Sequence, residues 1–221
     1  MRRGSTTVRP RSRRGEGERL REEILAAAEA LLVETASEDA VSIRAVAEAV
    51  GVSPPSIYRH FADKDMLLLE VCRHSLGHFA AALDEAFDAD DEPEAQMATL
   101  AGAYLRYAKE FPEHYRIMFM ARFELSAQAY AEEMVSDGSS FALLLRISEA
   151  LVASGRVRPE IAARGALHVG ILTWSTVHGL ASLQVAKPGL PWPDTDAIEA
   201  DLVASILRGI LRPPEGEPPT P

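Results

Sequence analysis

The chain is expected to be all-α, and three observations lead there. Ala, Leu, Arg and Glu recur at three-to-four spacing along nearly its whole length, the pattern that gathers apolar side chains on one face of a helix. Runs that alternate apolar and polar residues are scarce, so little supports a sheet. With 221 residues, 47% of them apolar, the chain exceeds one usual domain and is ample for a packed core. One small helical domain and one larger helical bundle, about nine helices together, are the expected division.

Residues 1–17 are expected to form a disordered basic arm, because Gly, Ser and Arg with few apolar residues cannot bury enough surface to fold. The first 21 residues hold eight Arg against Glu16 and Glu18, a net +6; since the whole chain carries −10, residues 22–221 carry −16. The pI near 5.1 therefore hides segregated charge. A basic arm can release counterions from a polyanion while the acidic remainder faces away. From Glu18 onward, Leu20, Ile24, Ala27, Ala28, Leu31 and Leu32 make a stripe ending near Thr35. This first helix is expected to close a small core against Val46, Val50, Ile57 and Phe61.

Ser42 to Lys64 predicts two short helices joined by a tight turn. Ile43, Val46, Ala47 and Val50 recur at helical spacing behind Ser42, a candidate N-cap. Gly51 ends that helix where a positive φ is wanted. Ser53 is expected to cap the next helix, and Pro54 at its first position gives up an N–H that has no partner anyway. A helix of about two turns is marginal alone, so Ile57 and Phe61 must pin it. Its free face carries Pro55, Ser56, Tyr58, Arg59 and His60.

The string A-V-G-V-S-x-x-S-I-Y-R-H-F-x-x-K-x-x-L resembles the DNA-binding signature of the TetR-type (tetracycline-repressor-like) transcriptional regulators. The resemblance runs from roughly Glu18 to Leu69, with capping residue, turn glycine, Tyr, His-Phe and Lys all at the family's spacing. It implies a three-helix helix-turn-helix DNA-binding domain over residues 18–66. By resemblance, Pro54, Pro55, Ser56 and Arg59 lie toward the bases, with Arg44 reaching in from the preceding helix. Ser42, Ser53, Tyr58, His60 and Lys64 would hold phosphates. Two adjacent prolines leave fewer hydrogen bonds available at the tip.

Asp63 is expected to cap a fourth helix, with Asp65 in its first turn and Met66, Leu67, Leu69, Val71, Leu76, Phe79, Leu83 and Phe87 along its apolar face. Unbroken, it is about 25 residues or roughly 37 Å long, a rod able to carry movement to the reading head. Pro93 starts a fifth helix that runs to Phe111 with Met97, Leu100, Ala101, Tyr104 and Phe111 inward. Pro112 breaks the run, and residues 111–123 open a short sixth helix with Met118, Phe119, Met120 and Phe123 inside. A seventh is interrupted at residues 137–140, resumes from Phe141 through Leu151, and is capped by Gly155. An eighth starts at Pro159, with Leu167, Gly170, Ile171, Trp174, Val177, His178 and Ala181 on one face and Val169, Leu172, Thr176, Leu180 and Leu183 on another. Residues 187–193 are a loop, a ninth helix spans Asp194 to Leu211, and the Pro-rich tail 212–221 is expected to be loose.

The resemblance also implies the work of residues 67–211: ligand binding and dimerisation. In TetR-like folds the last two long helices pair with their copies across a two-fold axis. The doubly apolar eighth helix, with Gly165, Gly170 and Gly179 allowing close approach, suits a homodimer through helices eight and nine. Such a dimer would place two recognition helices roughly 34 Å apart and implies a palindromic operator on double-stranded DNA. The segments HYRIMF (His114 to Phe119) and WSTVHGL (Trp174 to Leu180) resemble a subclass with a WHG-type C-terminal domain. The family's pocket implies a small-molecule effector, here mostly apolar, lined by Phe79, Tyr104, Phe119, Phe123, Phe141, Trp174 and His178. A ligand-responsive regulator, a repressor as is commonest in the family, is the expected function.

Other classes find less support. Glu70, His74 and His78 stand at i, i+4 and i+8, but only two adjacent turns usually converge on one ion. No metal and no other cofactor are expected. Cys72 is the single cysteine, so no internal disulfide forms, as suits a reducing cytoplasm. Gly165 to Ala186 lacks Asp, Glu, Lys and Arg over 22 residues, yet its Ser, Thr, His and Gln groups would be poorly satisfied in hydrocarbon. It is expected to be buried in protein, with no membrane partner. No Gly-rich phosphate loop, HExxH, CxxC or G-x-S-x-G is present, so no catalytic residues and no enzyme are expected. The rival to a DNA-binding regulator is a helical sensor or carrier that binds a small molecule without DNA.

Overall fold

The computed structural model describes residues 16–35, 37, 40–119, 136 and 138–213. Within them the chain is all-α, with helices α1 (Glu16–Thr35), α2 (Ile43–Val50), α3 (Pro54–Ile57), α4 (Lys64–Ala86), α5 (Pro93–Glu110), α6 (Pro112–Phe119), α7 (Ser140–Ala153), α8 (Pro159–Ala162), α9 (Ala166–Ala186) and α10 (Thr195–Ile210). The chain divides into two compact units, Met1–Ser75 with Arg116–Phe123, and Leu76–Tyr115 with Glu124–Pro221. Among the described residues no helix is long and apolar enough to cross a membrane.

The first unit is built on the expected small core. Ile24, Ala28 and Leu32 of α1 are buried, as are Val46 and Ala47 of α2, Ile57 of α3 and Phe61 beyond it. Val50, expected in the same core, is only half-buried. The α1 helix begins at Glu16, two residues before the expected start, and its two acidic residues in the first turn favour the helix dipole there. Ionic contacts tie α1 to the start of α4: Glu70 accepts from Arg21 of α1 and, at 2.6 Å, from Arg73. Burial pushes the Glu70 carboxyl up, but the hydrogen bonds from Arg73 and Arg21 and their charges outweigh it and hold it below its ordinary value. The Arg21 guanidinium also lies 5.3 Å from the Phe61 ring centre. Glu29 accepts from Ser75 at 3.4 Å and lies 3.2 Å from His74, while Glu70 is engaged by Arg21 and Arg73.

The second unit is centred on α5, which packs against α7, α9 and α10, while α9 also meets α7, α8 and α10. Gln96 begins the ordering: its buried amide donates to the carbonyls of Asp88, Ala89 and Asp91, holding the loop before α5. Lys109 at the other end donates to Asp196 at 2.8 Å and lies 3.2 Å from Glu199, joining α5 to α10. Arg158 satisfies the open end of α10 by donating to the carbonyls of Leu211 and Arg208.

Two expectations of local structure are corrected. The eighth helix is in fact two, α8 and α9, parted at Ala163–Gly165, where Gly165 adopts φ +87°; a positive φ ends a helix, and glycine adopts it without strain. Phe111, expected on the inner face of the fifth helix, instead ends it as the C-cap with 44% of its surface exposed. Within the chain, a Cβ at Gly170 would stand 3.3 Å from Ser148 Oγ of α7, whereas one at Gly165 or Gly179 would meet nothing within 4 Å. The first part of the seventh helix, Met120 and Phe123 lie outside the described residues.

Candidate DNA-reading surface and effector site

The helix-turn-helix is assembled by local chemistry. Ser42 accepts from the Ala45 N–H at 3.1 Å and starts α2. Gly51, at φ +75°, closes the helix, its N–H and that of Val52 returning to Glu48 and Ala47. α3 is a single turn rather than two, passing into turns over Tyr58–His60. The expected Ser53 side-chain cap is not formed either. Pro54 and Pro55 fill the first two helical positions and have no N–H to offer, and the Ser56 N–H is already taken by the Ser53 carbonyl at 2.8 Å. The Ser53 hydroxyl instead meets Ser56 Oγ at 3.0 Å, and Arg59 donates to Ser56 Oγ at 3.1 Å.

Burial separates the two sides of this segment. Ile57 is 0% and Phe61 3% exposed, whereas Tyr58 is 55% exposed. Arg44, Ser53, Pro54, Pro55 and Arg59 are also exposed, Ser42 is exposed while capping α2, and Ser56, His60 and Lys64 are half-buried. Every residue expected to face DNA thus reaches the surface of the first unit. The chemistry offered is a proline tip flanked by hydroxyls, a phenol and guanidinium groups, which can lie along a groove edge and grip phosphates.

In the second unit, three helices bring together a compact polar cluster in an aromatic setting. Tyr104 of α5 and Tyr115 of α6 each place a hydroxyl 2.8 Å from Nδ1 of His178 in α9. Nε2 of the same ring lies 3.2 Å from Ser182 Oγ, one turn on, and Ser182 Oγ is 3.1 Å from the Tyr115 hydroxyl. Phe79 stands edge-on to Tyr104 at 5.1 Å, Trp174 is 5.7 Å from His178, and Phe141 is 5.9 Å from Trp174. Burial pushes the Tyr104 hydroxyl well up, the Tyr115 hydroxyl up and the His178 imidazolium down. All three side chains are therefore neutral near pH 7, a set of uncharged donors and acceptors.

Of the residues expected to line an effector site, Phe79, Tyr104, Phe141, Trp174 and His178 are joined in this one chain of ring contacts. Phe119 falls in the first unit and Phe123 outside the described residues. Tyr115 and Ser182 were not expected. Ser182 follows His178 by four residues and so shares its helix face, a signal the sequence does contain; Tyr115 had no such local mark.

A family model described as "Bacterial regulatory proteins, tetR family" matches residues 24–71, and one described as "Tetracyclin repressor-like, C-terminal domain" matches residues 97–208, half of the chain. The chain belongs to the tetracycline-repressor-like family. Solved structures agree on the fold. A protein of unknown function from Rhodococcus sp. RHA1 is 27% identical, with a TM-score of 0.70 over 87% of this chain and 95% of that one. A putative TetR-family transcriptional regulator from Vibrio parahaemolyticus is 23% identical, with a TM-score of 0.68 over 87% and 99%. A fatty acid degradation regulator from Bacillus halodurans is 16% identical, with a TM-score of 0.65 over 89% and 97%. No curated protein sequence matches. For a tetracycline-repressor-like protein, the first unit holds the DNA-binding helix-turn-helix and the second the C-terminal helical bundle.

Proposed function

We propose that this family member is a ligand-responsive repressor that binds a palindromic operator as a homodimer and leaves it when a small, mostly apolar effector binds. The observation that carries the DNA half is the split of one short segment into a buried underside, Ile57 and Phe61, and an exposed crest, Pro54, Pro55, Tyr58 and Arg59. On this reading Pro54, Pro55, Ser56, Arg59 and Arg44 approach the bases, and Ser42, Ser53, Tyr58, His60 and Lys64 the phosphates. The reading head comprises residues 18–66, and residues 67–211 bind ligand and dimerise.

Two observations support the other half. Leu167, Ile171, Leu172 and Leu183 of α9 are large apolar side chains left exposed in the single chain, as an interface through α9 and α10 requires. The Tyr104–Tyr115–His178–Ser182 cluster offers uncharged hydrogen bonds inside aromatic walls, as suits an apolar effector with one polar group. The Trp174, His178 and Gly179 run supports placement in the WHG-type subclass. For tenfold induction the effector must prefer the released state by about 1.4 kcal/mol. Gel shift with the DNA upstream of the chain's own coding region, repeated with candidate apolar effectors, tests this. A shifted band that an effector abolishes is expected; ligand binding without any shift would favour a carrier that does not bind DNA.

A further inference from the structure

The tip of the reading crest is unusual in having nothing with which to donate. Pro54 and Pro55 are both exposed, neither has an N–H, and each side chain is a ring of methylenes. The polar groups beside them are drawn together: Ser53 Oγ meets Ser56 Oγ at 3.0 Å, and Arg59 donates to that same Ser56 oxygen at 3.1 Å. The next N–H along the chain, that of Ser56, is spent on the Ser53 carbonyl.

In the major groove, base pairs present hydrogen-bonding atoms and a single apolar group, the C5-methyl of thymine. A proline tip pressed against an adenine or cytosine amino group would strip it of water and return no hydrogen bond, which is unfavourable. Against a thymine methyl the same tip loses nothing and covers apolar surface. From this, and resting on the DNA-binding reading above, we infer that the exposed Pro54–Pro55 pair is a methyl reader that sets a thymine at one position of each operator half-site. Arg59, steadied by Ser56, is then left for a hydrogen-bonding base or phosphate beside that thymine.

The test uses the full-length protein and an operator selected from random duplex DNA, with each thymine exchanged in turn for deoxyuridine, which removes only the methyl. At one thymine per half-site the exchange is expected to weaken binding roughly fourfold, and about fifteenfold when made in both halves, the worth of one buried methyl at each. A Pro54→Ser, Pro55→Ser variant, checked for an unchanged melting temperature, is expected to bind the thymine and uracil operators equally. At the same position 5-methylcytosine is expected to bind better than cytosine. Tight, sequence-selective binding that ignores every thymine-to-uracil exchange would overturn the methyl reader and leave the regulator intact. So would a double-serine variant that still tells thymine from uracil. Absence of sequence-selective duplex binding altogether would overturn both.

Discussion

His178 stands with two phenol hydroxyls 2.8 Å from one ring nitrogen and a serine hydroxyl 3.2 Å from the other. Each of these hydroxyls can donate or accept, so a neutral imidazole, with one N–H and one lone pair, fits without a charge. Burial lowers the pKa of His178, and this has a consequence for stability. The unfolded chain takes up a proton near pH 6.5 that the folded site refuses until the pH is lower, so stability is lost as the pH falls from about 6.5 through the depressed value. Denaturant midpoints measured from pH 7.5 down to 5 should therefore decline more steeply for the native chain than for His178→Gln. Parallel declines would show that His178 is not held neutral. At this scale the sequence marks Tyr104, Trp174 and His178 by their place on apolar helix faces. It does not mark Tyr115, whose partners His178 and Ser182 are 63 and 67 residues away, because only the packing of three helices brings them together.

The α2–turn–α3 element was legible almost in full, since its determinants are local: a Ser cap, a glycine at φ +75° and prolines at the start of α3. Its length was overestimated because residues 58–60 continue as turns, and the Ser53 cap fails for a local reason, the prolines at the first two helical positions. The break between α8 and α9 was less legible, because Gly165 opens the uncharged run directly after Arg164 and a glycine alone does not tell a turn position from a packing one. α9 illustrates a second limit. Its apolar residues lie all round the helix, so the pattern alone does not separate the face packed on α5 and α7 from the face left open. The structure leaves Leu167, Ile171, Leu172 and Leu183 exposed. If these meet a second copy, Leu172→Glu with Leu183→Glu brings carboxylates into a desolvated seam, which costs several kcal/mol per buried charge. Analytical ultracentrifugation should then find the native chain at twice 24.0 kDa and the variant at 24.0 kDa. A variant that sediments as the native chain does would place the interface elsewhere.

Across the whole molecule, charge divides the work. The first 21 residues carry +6 and the remainder −16, so on the proposed reading attraction to a polyanion is local, with Arg44, Arg59 and Lys64 among its sources. An acidic body limits binding to DNA that those groups can grip, and makes that binding sensitive to screening. Duplex binding carried by several phosphate contacts falls steeply with salt, because each contact releases condensed counterions. The most direct measurement is the dissociation constant for an operator duplex between about 50 and 200 mM salt, for the native chain and for Tyr58→Ala. A loss of at least about a hundredfold over that range, with Tyr58→Ala weaker throughout and less steep, is the predicted result. Affinity indifferent both to salt and to the Tyr58→Ala change would contradict a DNA-reading head.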